Sequence, residues 1–436
     1  YFIIYSKNFF TLFRVITIIV VVIVHSLLPF VVVLENTLFL ENTYSKIWYH
    51  LLIDGTVVVE TFFVISGCLA SYNLRMKSKE DTVWRTIPKN ILLRWLRLTP
   101  PYAVTLAITA TWLRFMGSGP MWQKLIGPEI ADCRRDGWQN MLYINNYFDN
   151  TRCMAHTWYV AADMQLFVLG TFILALTRSD HRRQVVLWAI IVISLLIPPL
   201  HTYFQNLNGH IILSPEVVLE HFVKDPTFNH SYKRGHTNMT SYILGLSLGL
   251  IIYKLQQKQL NVENYKNYKY LYWGTFPMMI TLILCCGSLY MEVTPHVAVR
   301  AICAGIYRPL FGLLIFLFIL GMVIKLENVY RPILEWRGWT LAVRVTYSVY
   351  ILHVMLLQIC AYSRTTLSHI SVYEVLMSWC GSICFSFLCA IPLWLLVESP
   401  ISQLVQYLTT TRKKEKQMKS VDNERQGTTK VTQMLQ

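Results

Sequence analysis

Long apolar stretches alternate with polar segments along almost the whole chain. A helix that crosses a bilayer needs about 20 mainly apolar residues. The pattern predicts ten such helices, near 10–34, 48–70, 98–116, 157–177, 184–204, 240–254, 271–291, 301–324, 341–362 and 373–397. The sixth is short and glycine-rich, with Gly245 and Gly249 between Tyr242 and Tyr253. The polar segments between them are brief except for 117–156 and 205–238, which read as loops on one side of the membrane. Beyond 408 the chain is charged and without periodicity, so 409–436 reads as a disordered basic tail behind one domain at 1–408. The predicted class is all-α, a polytopic membrane bundle.

Composition sharpens this picture. Of 436 residues, 54% are hydrophobic and 14% charged, with mean hydropathy +0.41, against about a quarter charged in soluble domains. Lipid has to cover much of such a surface. The net charge of +15 would point to nucleic acid in a soluble protein. Here the basic residues follow the positive-inside rule. With the N-terminus placed in the cytoplasm, 25 of the 39 lysines and arginines fall in inner segments, 9 in outer ones and 5 within helices. Both ends are therefore expected in the cytoplasm, and no nucleic-acid partner is needed. The chain opens on Tyr1, which reads as a fragment or a processed form, and its first apolar run lacks the cleavage pattern of a signal peptide.

Ten cysteines include no CxxC pair and no metal-ligand spacing, so no metal site is expected. Eight lie in apolar runs and read as small core residues. Cys133 and Cys153 lie in an outer polar segment, in the compartment where disulfides persist. A bridge between them would contribute roughly 3 kcal/mol by closing a loop of about 20 residues; two free thiols are the other reading. The sequons at Asn229 and Asn238 fall in or beside an outer segment and read as glycosylation sites.

Charge inside apolar helices is the informative chemistry, since a charged group at the bilayer centre costs at least about 2.5–3.5 kcal/mol. Arg14 and His25 are eleven residues apart on the first helix and so share a face, about 16.5 Å apart along its axis. An imidazole there suits proton abstraction from a hydroxyl; a hydrogen-bonded core histidine is the plain alternative. In the second helix Asp54 and Glu60 do not share a face, and Glu60, in mid-span, needs a partner that Arg14 or His25 would supply. Arg94 and Arg97, at the mouth of the third helix, suit either donor phosphates or anionic lipid. The fourth helix brings Trp158, Tyr159, Asp163 and Gln165, its aromatics also fitting an interfacial belt. Late in the chain Tyr347, Tyr350 and His353 share a face and Glu398 closes the last span; polar glue between helices would explain these equally well.

Taken in series, these pieces resemble the membrane acyltransferase-3 family, specifically its animal branch called nose resistant to fluoxetine. The resemblance rests on Arg14 to His25, Glu60 with the following TFFVISG, and Arg94-WLRLTPPY. Further on it includes WQNMLYINNYF, HTWYVAADMQ from His156 to Gln165, YILGLSLG, TYSVYILH ending at His353, and Glu398-Ser-Pro. It covers about residues 8–408. Three positions depart from the family pattern: Glu60 where Asp is usual, Asn238 where a basic residue is usual, and Val354 where Pro is frequent. The resemblance implies transfer of an acyl group from an acyl-CoA-type co-substrate, with no resident cofactor, to a hydroxyl acceptor that is a lipid, sterol or small molecule. It implies His25 as base with Arg14 supporting it or binding the donor. Glu60, Arg94, Arg97, Trp158, Tyr159, Asp163, Gln165, Tyr347, His353 and Glu398 are then the further donor- or substrate-binding candidates. It also implies a location in the plasma membrane or an endomembrane, and that an extracellular domain usually precedes the first family helix. A transporter or lipid-handling protein is the competing class, with Arg14, Glu60 and Asp163 along a permeation path, but no internal repeat of the kind common in transporters is visible. An inactive enzyme relative is the third reading, against which the intact Arg14/His25 pair argues.

Overall fold

A computed structural model describes residues 2–408 apart from 45, 48–49, 52–53, 78–82, 178, 215–216, 219, 221, 258–264, 266, 290–293, 327–328, 330, 335 and 337. The expected basic tail at 409–436 lies outside the described residues. The helices are α1 (Phe2–Val31), α2 (Thr37–Tyr44), α3 (Val59–Lys77), α4 (Val83–Thr111), α5 (Trp122–Met141) and α6 (Trp158–Leu176). They continue with α7 (Asp180–Phe204), α8 (Met239–Gln257), α9 (Lys269–Ser288), α10 (Val297–Val323), α11 (Trp339–Tyr362) and α12 (Val372–Leu393). The last is prolonged by a wide turn at Trp394–Glu398. Among the described residues no strand forms, only an isolated bridge between Leu34 and Ser368.

Each predicted span contains helix among the described residues, and there eight helices are long and apolar enough to cross a membrane. The two outside that set are α4 and α8. Helix α4 starts some fifteen residues before the predicted span, because the basic run carrying Arg94 and Arg97 continues the helix rather than leading into it. Helix α8 gives up apolar bulk for glycine. One helix in the segment 117–156 departs from the loop expected there. Trp122, Leu125, Ile126, Glu129, Ile130, Cys133 and Gly137 are buried along one stripe of α5, at the three- and four-residue spacing of an amphipathic helix. That stripe packs on α4, with Gly137 set against Leu106.

Helix α1 lies at the middle of the bundle. One side joins a core with α4, α5, α6, α11 and α12; another joins a second core with α3, α8, α9 and α10. A third core fills the space between α3, α6, α7 and α8. The circumference carries Trp188, Ile193 and Leu196 of α7, Tyr270 and Met278 of α9, and Leu388 and Leu396 of α12, all exposed. Lipid is the solvent that such a belt requires. At the end reached by the C-terminus of α1, the two long polar segments fold over the bundle as one cap. Arg234 and Lys233 grip Asp149 at 2.8 and 3.2 Å, and Arg152 meets Glu220 at 3.4 Å. The bridge expected between Cys133 and Cys153 is formed and ties α5 to the strap that enters α6.

Candidate active site

Three histidines from distant parts of the chain meet near the capped end. His25 Nδ1 lies 2.9 Å from His353 Nε2. The other ring nitrogen of His353, Nδ1, lies 2.7 Å from the Tyr350 carbonyl and 3.2 Å from that of Val349. A carbonyl only accepts, so the proton of a neutral His353 sits on Nδ1 and its Nε2 is a lone pair. His25 therefore donates from Nδ1, and its own Nε2 is left unprotonated. Among the described residues that nitrogen has no partner, and His25 lines a cavity of about 130 Å³. His156 stands edge-on to His353, ring centroids 5.3 Å apart, and donates from Nε2 to the Ile351 carbonyl at 3.3 Å. The Tyr350 hydroxyl donates in turn to the His156 carbonyl. Among the described residues no three His, Cys, Asp or Glu side chains converge as a set of metal ligands.

The cavity is lined by the polar side chains of His25, His156, Glu129, Arg152 and Gln358 and by an aromatic set that includes Trp158, Tyr159, Tyr232 and Phe228. The aromatics predicted at 158 and 159 thus wall this cavity rather than an interfacial belt, with the Trp158 and Tyr232 rings tilted against each other at 4.7 Å and those of Tyr159 and Phe63 at 4.8 Å. Glu129, on α5 in the cap, is buried and accepts hydrogen bonds from the Gln358 amide at 2.8 Å and the Met154 N–H at 3.3 Å. Burial pushes its carboxyl up to about 7.

A second polar centre lies toward the other end of α1. Arg94 is bonded to Asp163 and donates to Ser66 Oγ at 3.1 Å, with Phe167 under its guanidinium at 4.3 Å. Arg14 stands within electrostatic range of Arg94, Arg97, Tyr159 and Asp163. Three cations thus gather around Asp163, with Glu398 in electrostatic range of Arg97, and the remaining excess of positive charge suits a polyanion. Tyr159 belongs to both centres, as cavity wall and as a neighbour of Arg14.

Other predicted residues serve the scaffold. Gln165 forms a reciprocal amide pair with Asn146, at 2.7 and 3.1 Å, and holds the Tyr143 carbonyl at 2.8 Å. Tyr347 donates to the Leu98 carbonyl at 2.8 Å, and Glu398 accepts from Ser348 at 2.7 Å. Glu60 is paired neither with Arg14 nor with His25. Its neighbours are Arg308 of α10 and the Ser241 hydroxyl of α8. Arg308 continues to Asn238 Oδ1 at 3.2 Å and lies over the Tyr232 ring at 4.4 Å. The sequon asparagines also differ from expectation. Asn238 and Asn229 are buried, and their amide nitrogens donate to the carbonyls of Tyr232 and Arg234 and of Val223. A glycan on either would have to displace those bonds. Sequence reading passed over His156, Glu129 and Gln358; of these, only His156 sits inside a motif already singled out.

Comparison with known proteins bears on what this pair of centres belongs to. Residues 7–395 match the family model described as an acyltransferase domain. Nose resistant to fluoxetine protein 6 of Caenorhabditis elegans is 24% identical over 387 residues, which are 83% of this chain and 46% of that protein. Regulator of hypoxia-inducible factor 1 of the same organism is 22% identical over 393 residues, 82% of this chain and 70% of that protein. The chain thus spans about half the length of the first relative and somewhat over two thirds of the second. No solved structure matches. The matched region takes in α1 with Arg14 and His25, the Arg94–Asp163 pair and His353 alike: this chain belongs to the acyltransferase-3 family of membrane proteins.

Proposed function

We propose that the chain transfers an acyl group from a coenzyme A thioester to a hydroxyl-bearing acceptor, with His25 Nε2 as the base. The observation that supports this is the His25–His353 contact: with His25 donating from Nδ1, its Nε2 is left unprotonated at a residue that lines the cavity. The donor's phosphates sit among Arg14, Arg94 and Arg97, and its pantetheine arm runs along α1 past Tyr159. The acceptor occupies the cavity with its hydroxyl against His25. His25 takes the hydroxyl proton as the oxygen attacks the thioester carbonyl. The carbon–sulfur bond then breaks, and the thiolate takes the proton back from His25. His353 acts through His25 and is a positioning residue. The end of the bundle near the arginines faces the cytoplasm on this reading, a placement supported by the distribution of basic residues and by the disulfide at the opposite end.

The test uses purified protein in nanodiscs with radiolabelled acyl-CoA and a panel of lipid, sterol and sugar alcohols. His25→Ala is expected to lower turnover by about 10²–10⁴-fold, the usual contribution of general acid–base catalysis, with thermal stability little changed. His353→Gln is expected to lower kcat and leave KM for the donor in place. Turnover of His25→Ala equal to that of the unaltered protein would sink the proposal.

A further inference from the structure

A second cavity, of about 390 Å³, opens between α1, α11 and α12 at the capped end of the bundle. Its volume falls within the range of small-ligand sites, about 300–1,000 Å³. Leu27, Phe30, Leu357 and Phe385 give it an apolar wall, and Gly381 lies on its α12 side. Two exposed side chains of opposite charge, Arg364 and Glu374, border it. Arg364 donates to Ser368 Oγ at 3.0 Å and lies 4.9 Å from the Phe30 ring centroid. Neither it nor the Glu374 carboxylate has an ion partner within 4 Å among the described residues. Around them α12 turns Tyr373, Leu376 and Met377 outward, all exposed, so the cavity opens on the side where lipid lies.

We propose that this cavity binds a zwitterionic phospholipid from the leaflet on the disulfide side. Its phosphate meets Arg364, its ammonium group meets Glu374, and an acyl chain runs along α12 past Gly381 toward Phe385. A guanidinium is a strong phosphate partner, and an unpaired carboxylate at the same cavity selects against a purely anionic headgroup. Leu357 also lines the His25 cavity, so the lipid lies one side chain away from it. The proposal rests on this cavity's own residues and not on acyl transfer.

Native mass spectrometry of the purified protein provides the test, with phosphatidylcholine, phosphatidylglycerol and free glycerophosphocholine as probes. Gly381 lines the cavity and a Cβ there meets nothing within 4 Å, so Gly381→Trp is chosen to place bulk at the cavity without a clash at the backbone. Retained phosphatidylcholine is expected to fall about tenfold or more in Gly381→Trp and in Arg364→Ala, which corresponds to about 1.4 kcal/mol. Glu374→Gln is expected to shift the preference from phosphatidylcholine toward phosphatidylglycerol. Equal retention by Gly381→Trp and the unaltered protein would mean ordinary annular lipid and overturn the site. Equal binding of the two lipids by the unaltered protein would overturn the zwitterionic assignment. Glycerophosphocholine competing as well as the intact lipid would overturn the acyl-chain placement.

Discussion

Glu129 sits in the cap with its carboxylate between Gln358 and the strap at Met154, and burial outweighs the pull of nearby Arg152, so its carboxyl titrates near 7 rather than near 4.5. A carboxyl raised on folding favours the protonated native state. The stability it contributes is complete below about 4.5 and is lost as pH rises through about 7, on the order of 3 kcal/mol in all. The unfolding midpoint of the protein is therefore expected to fall between pH 5 and pH 8. Glu129→Gln is expected to flatten that dependence, because the new amide can donate to Gln358 Oε1, a buried acceptor now without a partner. A pH profile identical in the two proteins would refute this. Residues of this kind were the least legible in the sequence. Arg14, His25 and Asp163 stand out as charge in apolar runs, whose cost forces burial. Their partners do not stand out, since Glu60 and Arg308 are 248 positions apart and no local pattern links them. The cap's buried carboxylate looked like one more charge in a polar segment.

Between elements the closest approach is that of α3 and α8. A Cβ on Gly245 would come to 2.2 Å from the Val64 carbonyl oxygen, and one on Gly67 to 2.3 Å from that of Tyr242. Gly249 meets the Cys68 carbonyl in the same way, so the Gly-x-x-x-Gly run of α8 is a seam where two backbones touch. The seam also sets Ser241 of α8 beside Glu60 of α3. Gly245→Ala must push the helices apart, and is expected to lower stability by more than the 1–3 kcal/mol or so typical of overpacking. Gly274→Ala on α9, where a Cβ meets nothing within 4 Å, is expected to be neutral or slightly stabilising, as alanine is the better helix former by about 1 kcal/mol. Thermal unfolding of both variants in the same detergent checks the contrast, and equal losses would contradict the seam. The short, glycine-rich character of α8 was plain in the sequence, and this packing is its reason. The stripe of α5 was equally plain at helical spacing, but a polar, charged opposite face hid it among loop residues.

For the whole molecule, the periodic apolar runs announced the bundle, because in lipid the backbone has to satisfy itself within helices. The way α1 is enclosed by the others depends on contacts between segments hundreds of residues apart and was not readable. Orientation is the prediction proper to this scale. A tag after Gln436 is expected to be accessible from the cytoplasm, and a tag in the loop before Trp122 from the opposite face. Selective permeabilisation checks both, and tags found on one face would refute the arrangement. The His25–His353 contact has a further meaning for a protein set in a barrier between two solutions. A histidine that passes protons along a string of titratable groups would short-circuit the ion gradient across that barrier. Here the string stops after one link, for the far nitrogen of His353 points into a peptide carbonyl, which does not ionise. On the proposed mechanism, a proton taken up by His25 has no onward conductor at that carbonyl and returns to the reacting molecules. Under that mechanism the helix bundle would carry out acid–base chemistry inside an electrical insulator without making the insulator leak.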